Sequence, residues 1–250
     1  MRQKVLCIIQ DRMGSPRLPG KVLKEVRGMS LLEYQIRRMK QAKLIDRLVV
    51  ATTINAEDNQ LEQFCAKAGV DCFRGSEEDV LERYRECAQQ YPEYRIIVRA
   101  TGDCPLIDPV VVDEVIQFLL DGDYNYVSNV APPTFPDGMD IEAFTRESLE
   151  KAAREAKRQS EREHVTLYIR ESGKFRTGNV SAEKDYSQYR LTVDDPEDFE
   201  VVSLLIQNLP PDASFQDYVK YLDAHPEIKL KNTHIVRNEG LAKSLKNEQI

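Results

Sequence analysis

The stretch Val5-Leu6-Cys7-Ile8-Ile9-Gln10-Asp11-Arg12-Met13-Gly14-Ser15-Pro16-Arg17-Leu18-Pro19-Gly20-Lys21 decides the fold. Its first five residues are apolar without a break. That reads as a strand at 5–9 buried on both faces, as in a parallel sheet covered by helices. The residues that follow, 10–21, form a loop rich in Gly, Pro and Arg. The same rhythm continues outward. Short apolar runs at 47–53, 70–73 and 95–100 predict strands, and helical spacing at 31–43, 58–68, 79–91 and 109–120 predicts the helices between them. Pro109 suits a first helical position, where its missing N–H costs nothing. Alternation of this kind predicts an α/β fold, a mixed and mainly parallel sheet flanked by helices. The ligand site is then expected at the carboxyl ends of the strands. The second half is less regular. Strands are expected at 125–130, 140–144, 175–180 and 189–193. Helices are expected at 146–158, 161–171, 196–209 and 218–224, before a polar tail after Pro226. No repeat or low-complexity linker divides the chain, so one domain is expected over 1–250.

The sequence has 250 residues and a net charge of −7. An acidic chain is a poor sequence-independent binder of DNA or RNA, which rests on Lys and Arg neutralising phosphates. No apolar run approaches the roughly 18 residues of a membrane span. The short apolar stretch near the N-terminus has no small-residue cleavage site after it. A cytoplasmic protein with no membrane and no nucleic-acid partner is therefore expected. Five cysteines without CxxC spacing give neither a zinc pattern nor a disulfide scaffold. Charge is uneven: residues 1–43 are near +8 and the remainder near −15. A basic front on an acidic protein suggests a local anion site. Arg37, Arg38, Lys40 and Lys43 are expected to form only a solvated helix face.

The loop 10–21 concentrates that positive charge. Gly14 and Gly20 allow close approach of backbone to a ligand. Arg12 and Arg17 offer planar forks for phosphate oxygens, Lys21 offers a movable point charge, and Ser15 a hydroxyl. Such a loop can wrap a triphosphate. It is not a Walker A loop: five residues separate Gly14 from Gly20, and Val22 stands where that loop needs Ser or Thr.

Two carboxylates follow strands. Asp103 lies in Thr101-Gly102-Asp103-Cys104-Pro105, and Asp194 in Val193-Asp194-Asp195-Pro196-Glu197-Asp198. Asp195 precedes a helix-starting Pro and reads as an N-cap, which leaves Asp194 free. Magnesium takes one or two carboxylates plus phosphate oxygens and water, so Asp103 and Asp194 would serve if their strands lie close. Asp121-Gly122-Asp123 has the Asp-x-Asp form of many glycosyltransferases, but it sits at a helix end, where a Gly turn is expected anyway. Asp137, Asp140 and Glu142 lie on a loop running into a strand, with Asp140 and Glu142 on one face. His164 is placed on a helix.

The loop Gln10-Asp11-Arg12-Met13-Gly14-Ser15-Pro16-Arg17-Leu18-Pro19-Gly20-Lys21 resembles the signature of the cytidylyltransferases that make CMP-Kdo and CMP-sialate. It is closer still to the SpsF-like spore-coat polysaccharide group. Gly75-Ser76-Glu77-Glu78-Asp79-Val80-Leu81-Glu82-Arg83-Tyr84, Pro136-Asp137-Gly138-Met139-Asp140-Ile141-Glu142, Glu161-Arg162-Glu163-His164-Val165-Thr166 and Arg237-Asn238-Glu239-Gly240-Leu241-Ala242-Lys243-Ser244-Leu245 match that group too. The resemblance covers nearly the whole chain. It implies a nucleotide-diphospho-sugar transferase-like fold and CMP transfer from CTP to a small sugar or sugar acid, releasing pyrophosphate. It implies a nucleotide-binding half at 1–122 and an acceptor-binding and dimerisation half at 123–250, hence a homodimer. Arg12, Lys21 and Asp103 would be catalytic. Gln10, Arg12, Gly14, Ser15, Arg17, Lys21 and Asp103 would bind the nucleotide. Asp103 and Asp194 would share magnesium, and Asp137, Asp140, Glu142 and His164 would bind the acceptor.

Overall fold

The computed structural model describes residues 2–248. It begins with β1 (Val5–Gln10), a small hairpin of β2 (Glu25–Val26) and β3 (Met29–Ser30), and α1 (Leu31–Met39). Then come β4 (Arg47–Thr53), α2 (Asn59–Ala68), β5 (Asp71–Gly75), α3 (Val80–Gln89), β6 (Ile96–Thr101) and α4 (Pro109–Asp121). The second half adds β7 (Tyr126–Ser128), β8 (Glu142–Thr145), α5 (Arg146–Glu155), α6 (Gln159–Glu163), α7 (Leu167–Glu171) and β9 (Thr177–Asn179). The chain continues as α8 (Pro196–Asn208), α9 (Phe215–Ala224), α10 (Pro226–Lys229) and α11 (Glu239–Asn247).

Seven strands form one sheet in the order β5-β4-β1-β6-β8-β7-β9, so both halves of the chain contribute to it. β1 runs parallel to β4 and β6, β4 parallel to β5, and β8 antiparallel to β6 and β7. This is the mixed, mainly parallel sheet expected from the alternation. The unbroken apolar run of β1 is explained by its two covered faces. Val5, Cys7 and Ile9 join the core with Ile36 of α1, Val112 of α4 and Val202 of α8. Leu6 and Ile8 join a second core with Leu81 and Tyr84 of α3 and Leu149 of α5. Helices start on side-chain caps: Ser30 for α1, Asp79 for α3, Asp108 for α4 and Thr145 for α5.

Strand order reverses at β1. The chain builds outward to β4 and β5, then returns to place β6 on the other side of β1. Ligands bind at such a reversal, beyond the carboxyl ends of the two strands. The register sets Gln10 beside Thr101, so the loop 11–20 leaves the sheet next to Gly102 and Asp103.

Three expectations are corrected. The segment 189–193 is extended but is not a strand. Its backbone bonds to turns: Asp137 N–H donates to Tyr189 O, Leu191 N–H to Asp137 O, and Val193 N–H to Asp103 O. The helix expected at 161–171 is broken between α6 and α7, where Val165 takes φ 50. Arg38 is not on a solvated face. It is buried and donates to the carbonyls of Ile107, Pro211 and Ala213.

Gly138 shows how tightly the turn at 136–139 meets the extended segment. It has φ 102, and a Cβ there would lie 2.6 Å from the Leu191 carbonyl carbon and the Thr192 nitrogen. Gly138→Ala is expected to cost about 1–3 kcal/mol in backbone strain. Thermal unfolding should show a loss of roughly 2–4 °C per kcal/mol; an unchanged Tm would contradict this packing.

Candidate active site

The loop after β1 is held open by the protein around it. Met13 N–H donates to Asp58 Oδ1 at 2.7 Å, and fully buried Asp58 is itself tied to Thr53 at the end of β4. Ser15 and Gly20 N–H both donate to Met13 O, and Gly20 closes the loop with φ 65. Gly14 faces away from the cleft: a Cβ there would lie 2.6 Å from Glu57 Oε1, so this glycine serves loop packing.

Lys21 is buried at the loop's end. Its ammonium donates to Val193 O at 2.7 Å and to Asp194 Oδ1 at 2.8 Å. Burial opposes the charge, but Asp103, Asp194 and Asp11 outweigh it and hold the lysine above its usual value. Asp103 O accepts from Val193 N–H and from Thr192 Oγ1, which brings the turn after β6 against the segment carrying Asp194. Asp103 and Asp194 thus line one cavity. Asp194 also accepts from Arg190, and Arg17 lies 3.3 Å from it. Burial would raise its carboxyl, but Lys21, Arg17 and Arg190 hold it below the usual range. Asp195 stands at the N-cap position of α8, yet its carboxylate pairs with Arg17 at 2.8 Å. Asp198 completes the capping box, accepting from the backbone of Asp194 and Asp195.

Two cavities adjoin here. One, of about 620 Å³, is lined by Gln10, Arg12, Ser15, Lys21 and Asp103. The other, of about 270 Å³, is lined by Asp137, Asp140, Glu142, His164 and Asp194. Arg99, Thr101, Asp103 and His164 line both. Arg17 lines only the second and is thus displaced from the nucleotide side where the sequence put it. Arg12 lies across the mouth of the first, paired with Glu77. In the second, Asp137 pairs with Arg190 and Asp140 with Arg237. Burial pushes Asp140 up to about 7, against the pull of Arg237. Glu142 accepts from Arg99, Tyr126 and Thr166. His164 ends α6 rather than lying within a helix, and its ring meets Ser244 at 3.1 Å. Burial, with Arg99 and Arg170, lowers its pKa, so the imidazole is neutral at pH 7. Asp121 ends α4 and Asp123 pairs with Arg176 at the surface, far from Asp-x-Asp chemistry.

Sequence reasoning passed over Asp11 and Arg99. Arg99 is a charge inside an apolar strand, a pattern that calls for a buried partner, and Glu142 is that partner. Asp11 directly follows the strand, in the quoted loop. One of its oxygens accepts from Arg12 N–H and the other is buried without a partner. A Cβ on Gly102 would lie 2.3 Å from this carboxylate, so only glycine fits beside it.

With this geometry in hand, the chain can be set beside known proteins. A cytidylyltransferase family model matches residues 6–238. The chain belongs to the cytidylyltransferase family. The spore coat polysaccharide biosynthesis protein SpsF of Bacillus subtilis (strain 168) is 37% identical to this family member over 235 residues. That match covers 89% of this chain and 95% of SpsF. A mitochondrial 3-deoxy-manno-octulosonate cytidylyltransferase of Arabidopsis thaliana is 32% identical over 121 residues, 47% of this chain and 40% of that protein. The structure of a cytidylyltransferase from Leptospira borgpetersenii is 37% identical with TM-score 0.87, covering 92% of this chain and 98% of that one. A CTP-complexed CMP:2-keto-3-deoxy-manno-octonic acid synthetase has TM-score 0.62 at 20% identity, over 82% of this chain and 100% of that one, and shares the fold. The cytidylyltransferase has no helix among its described residues long and apolar enough to cross a membrane.

Asp11 gives a pH prediction. Burial pushes its carboxyl up to about 8. The unfolded value is near 3.9. A raised folded value means no penalty below about pH 4 and a growing loss of stability as pH rises to about 8. Asp11→Asn should leave urea unfolding unchanged near pH 3.5 and be more stable than the parent at pH 8. A difference that stays flat across this window refutes the burial effect.

Proposed function

We propose that this chain transfers CMP from CTP to a sugar acceptor and releases pyrophosphate, making an activated sugar for surface polysaccharide. The observation that carries the reading is the junction of the two cavities at Asp103 and His164. A nucleoside triphosphate fits the larger, cation-bearing space and a single sugar the smaller one. The acceptor oxygen and the α-phosphorus then meet at the shared wall. Family membership and the likeness to SpsF support the same reaction class.

Magnesium fits the donor set. The Asp103 carboxylate has only the Cys104 thiol, 3.3 Å away, as a hydrogen-bond partner among the described residues. Asp194 stands next to it. Among the described residues no three His, Cys, Asp or Glu could hold a metal alone, which suits an ion that brings phosphate oxygens with it. Held by Asp103 and Asp194, magnesium would offset charge at the α-phosphate.

The chain's own residues do the rest by placement. Lys21 is charged and held at the loop's end, ready to turn from Asp194 to the triphosphate. Arg12 leaves Glu77 for phosphate oxygens. Gln10, fixed by Arg99 at 3.1 Å, and Ser15 line the nucleotide space. His164 offers a neutral imidazole to an acceptor hydroxyl. Asp137, Asp140 and Glu142, each tied to an arginine, shape the acceptor wall.

Asp103→Asn should lower pyrophosphate release from CTP with magnesium about 10²–10³-fold or more while Tm is retained. Lys21→Met should raise KM for CTP and lower kcat. The check is a pyrophosphate assay over sugar acids and sugar phosphates with each of the four NTPs. No release with any combination sinks the reading.

A further inference from the structure

We infer that Ser244 of α11 is a positioning residue, which sets His164 in the tautomer that leaves Nδ1 free to take the proton of the acceptor hydroxyl. The inference rests on the cytidylyl-transfer reading of the two cavities. His164 lines both of them. Its Nε2 lies 3.1 Å from Ser244 Oγ. That hydroxyl has two further neighbours, Glu163 Oε2 at 2.9 Å and the Gly240 carbonyl at 3.1 Å. A carboxylate and a carbonyl only accept, and a hydroxyl has one proton to give. The Ser244 proton goes to these oxygens, so the imidazole must be the donor to Ser244. Nε2 then carries the ring hydrogen. Burial, with Arg99 and Arg170 nearby, favours the neutral ring, so Nδ1 keeps its lone pair. Nδ1 has no hydrogen-bond partner among the described residues, yet it is not shut away from solvent.

The helix that carries Ser244 is seated by polar contacts. No described residue of α11 is buried. Just before it, Arg237 pairs with Asp140 of the smaller cavity. Just after it, Glu248 accepts from Ser160 N–H at 2.6 Å and from Ser160 Oγ at 2.7 Å. Ser160 is buried in α6, the helix that His164 ends. In the transfer step the acceptor O–H bond breaks as its oxygen bonds to the α-phosphorus. The proton passes to Nδ1. The bond from the α-phosphorus to the bridging oxygen breaks, and its electron pair leaves with pyrophosphate. The ring is then protonated on both nitrogens, and Glu163, 3.9 Å from Nε2, offsets the new charge. A ring free to turn or to change tautomer would offer its lone pair to the hydroxyl for only part of the time.

The test compares the full chain with Ser244→Ala and Ser244→Thr, the second of which keeps the hydroxyl. Nitrogen-15 NMR at neutral pH, with the His164 signals assigned by their loss in His164→Gln, should show Nε2 protonated and Nδ1 not. The Nε2 proton should be protected from exchange with water in the parent and in Ser244→Thr, and lose that protection in Ser244→Ala. With CTP, magnesium and the best acceptor of the sugar-acid and sugar-phosphate panel, Ser244→Ala should lower kcat about 3- to 10-fold, the worth of one neutral hydrogen bond. Its KM for CTP should stay within about twofold, and Ser244→Thr should recover most of the lost kcat. A proton on Nδ1 in the parent, equal Nε2 protection in all three proteins, or an unmoved kcat in Ser244→Ala overturns the inference. Should the parent release no pyrophosphate with any acceptor, the transfer reading fails on its own. The imidazole signals then decide separately whether Ser244 sets the ring, and equal signals in parent and Ser244→Ala refute it.

Discussion

The Lys21 ammonium sits between the carbonyl of Val193 and the carboxylate of Asp194, at 2.7 and 2.8 Å. An isolated buried ammonium would be expensive, and the site is arranged around the need to offset it. Asp11 comes from the end of β1, Asp103 from the turn after β6, and Asp194 from a segment near the start of α8. Each raises the lysine's affinity for its proton. This places the first loop against residues more than 170 positions later, and the two halves of the chain close on one another there. Below it, Arg190 binds Asp137, Asp194 and Asp198 together, so the wall of the smaller cavity and the partner of Lys21 share a single buried guanidinium. Removing one member of such a group strands charges of the other sign in a poorly solvated place.

The architecture was legible in the sequence where local pattern and tertiary surroundings agree. β1 reads as a strand because both its faces are covered. The loop after it reads as an anion site from its Arg, Lys and Gly content, and Arg12, Ser15 and Lys21 line the larger cavity. The dismissal of Asp121-Gly122-Asp123 rested on a helix end, and α4 does end there. Other features depend on partners that no window of sequence contains. The segment 189–193 has strand-like residues, but its hydrogen bonds go to two turns. The left-handed residue at Val165 has no compositional mark, so a broken helix read as a continuous one. Arg38 looked solvated because the three carbonyls it satisfies come from distant loops. Arg17 lies in the phosphate-like loop, yet carboxylates at 194 and 195 draw it to the other cavity.

The C-terminal segment carries little hydrophobic signal because its contacts are polar. Arg237 pairs with Asp140, Glu239 lies 3.3 Å from Arg17, and Ser244 meets His164. Glu248 accepts from both the backbone and the hydroxyl of Ser160. A stretch that reads as a weakly patterned tail is therefore an outer wall of the smaller cavity, fastened to the residues that line it.

The three cations of the first loop are already neutralised by carboxylates: Arg12 by Glu77, Arg17 by Asp194 and Asp195, and Lys21 by Asp194. The loop thus behaves as an ion exchanger rather than an open trap for negative charge. An incoming anion gains only the difference between itself and the carboxylate it displaces. A small monovalent anion can displace one of these carboxylates, but it cannot reach Arg12 and Lys21 together. On the proposed reaction a polyphosphate would span both, and the displaced Asp194 would become free for the divalent cation that accompanies it. On that reading, discrimination between a triphosphate and the simple salts of the cell is built into the resting ion pairs themselves.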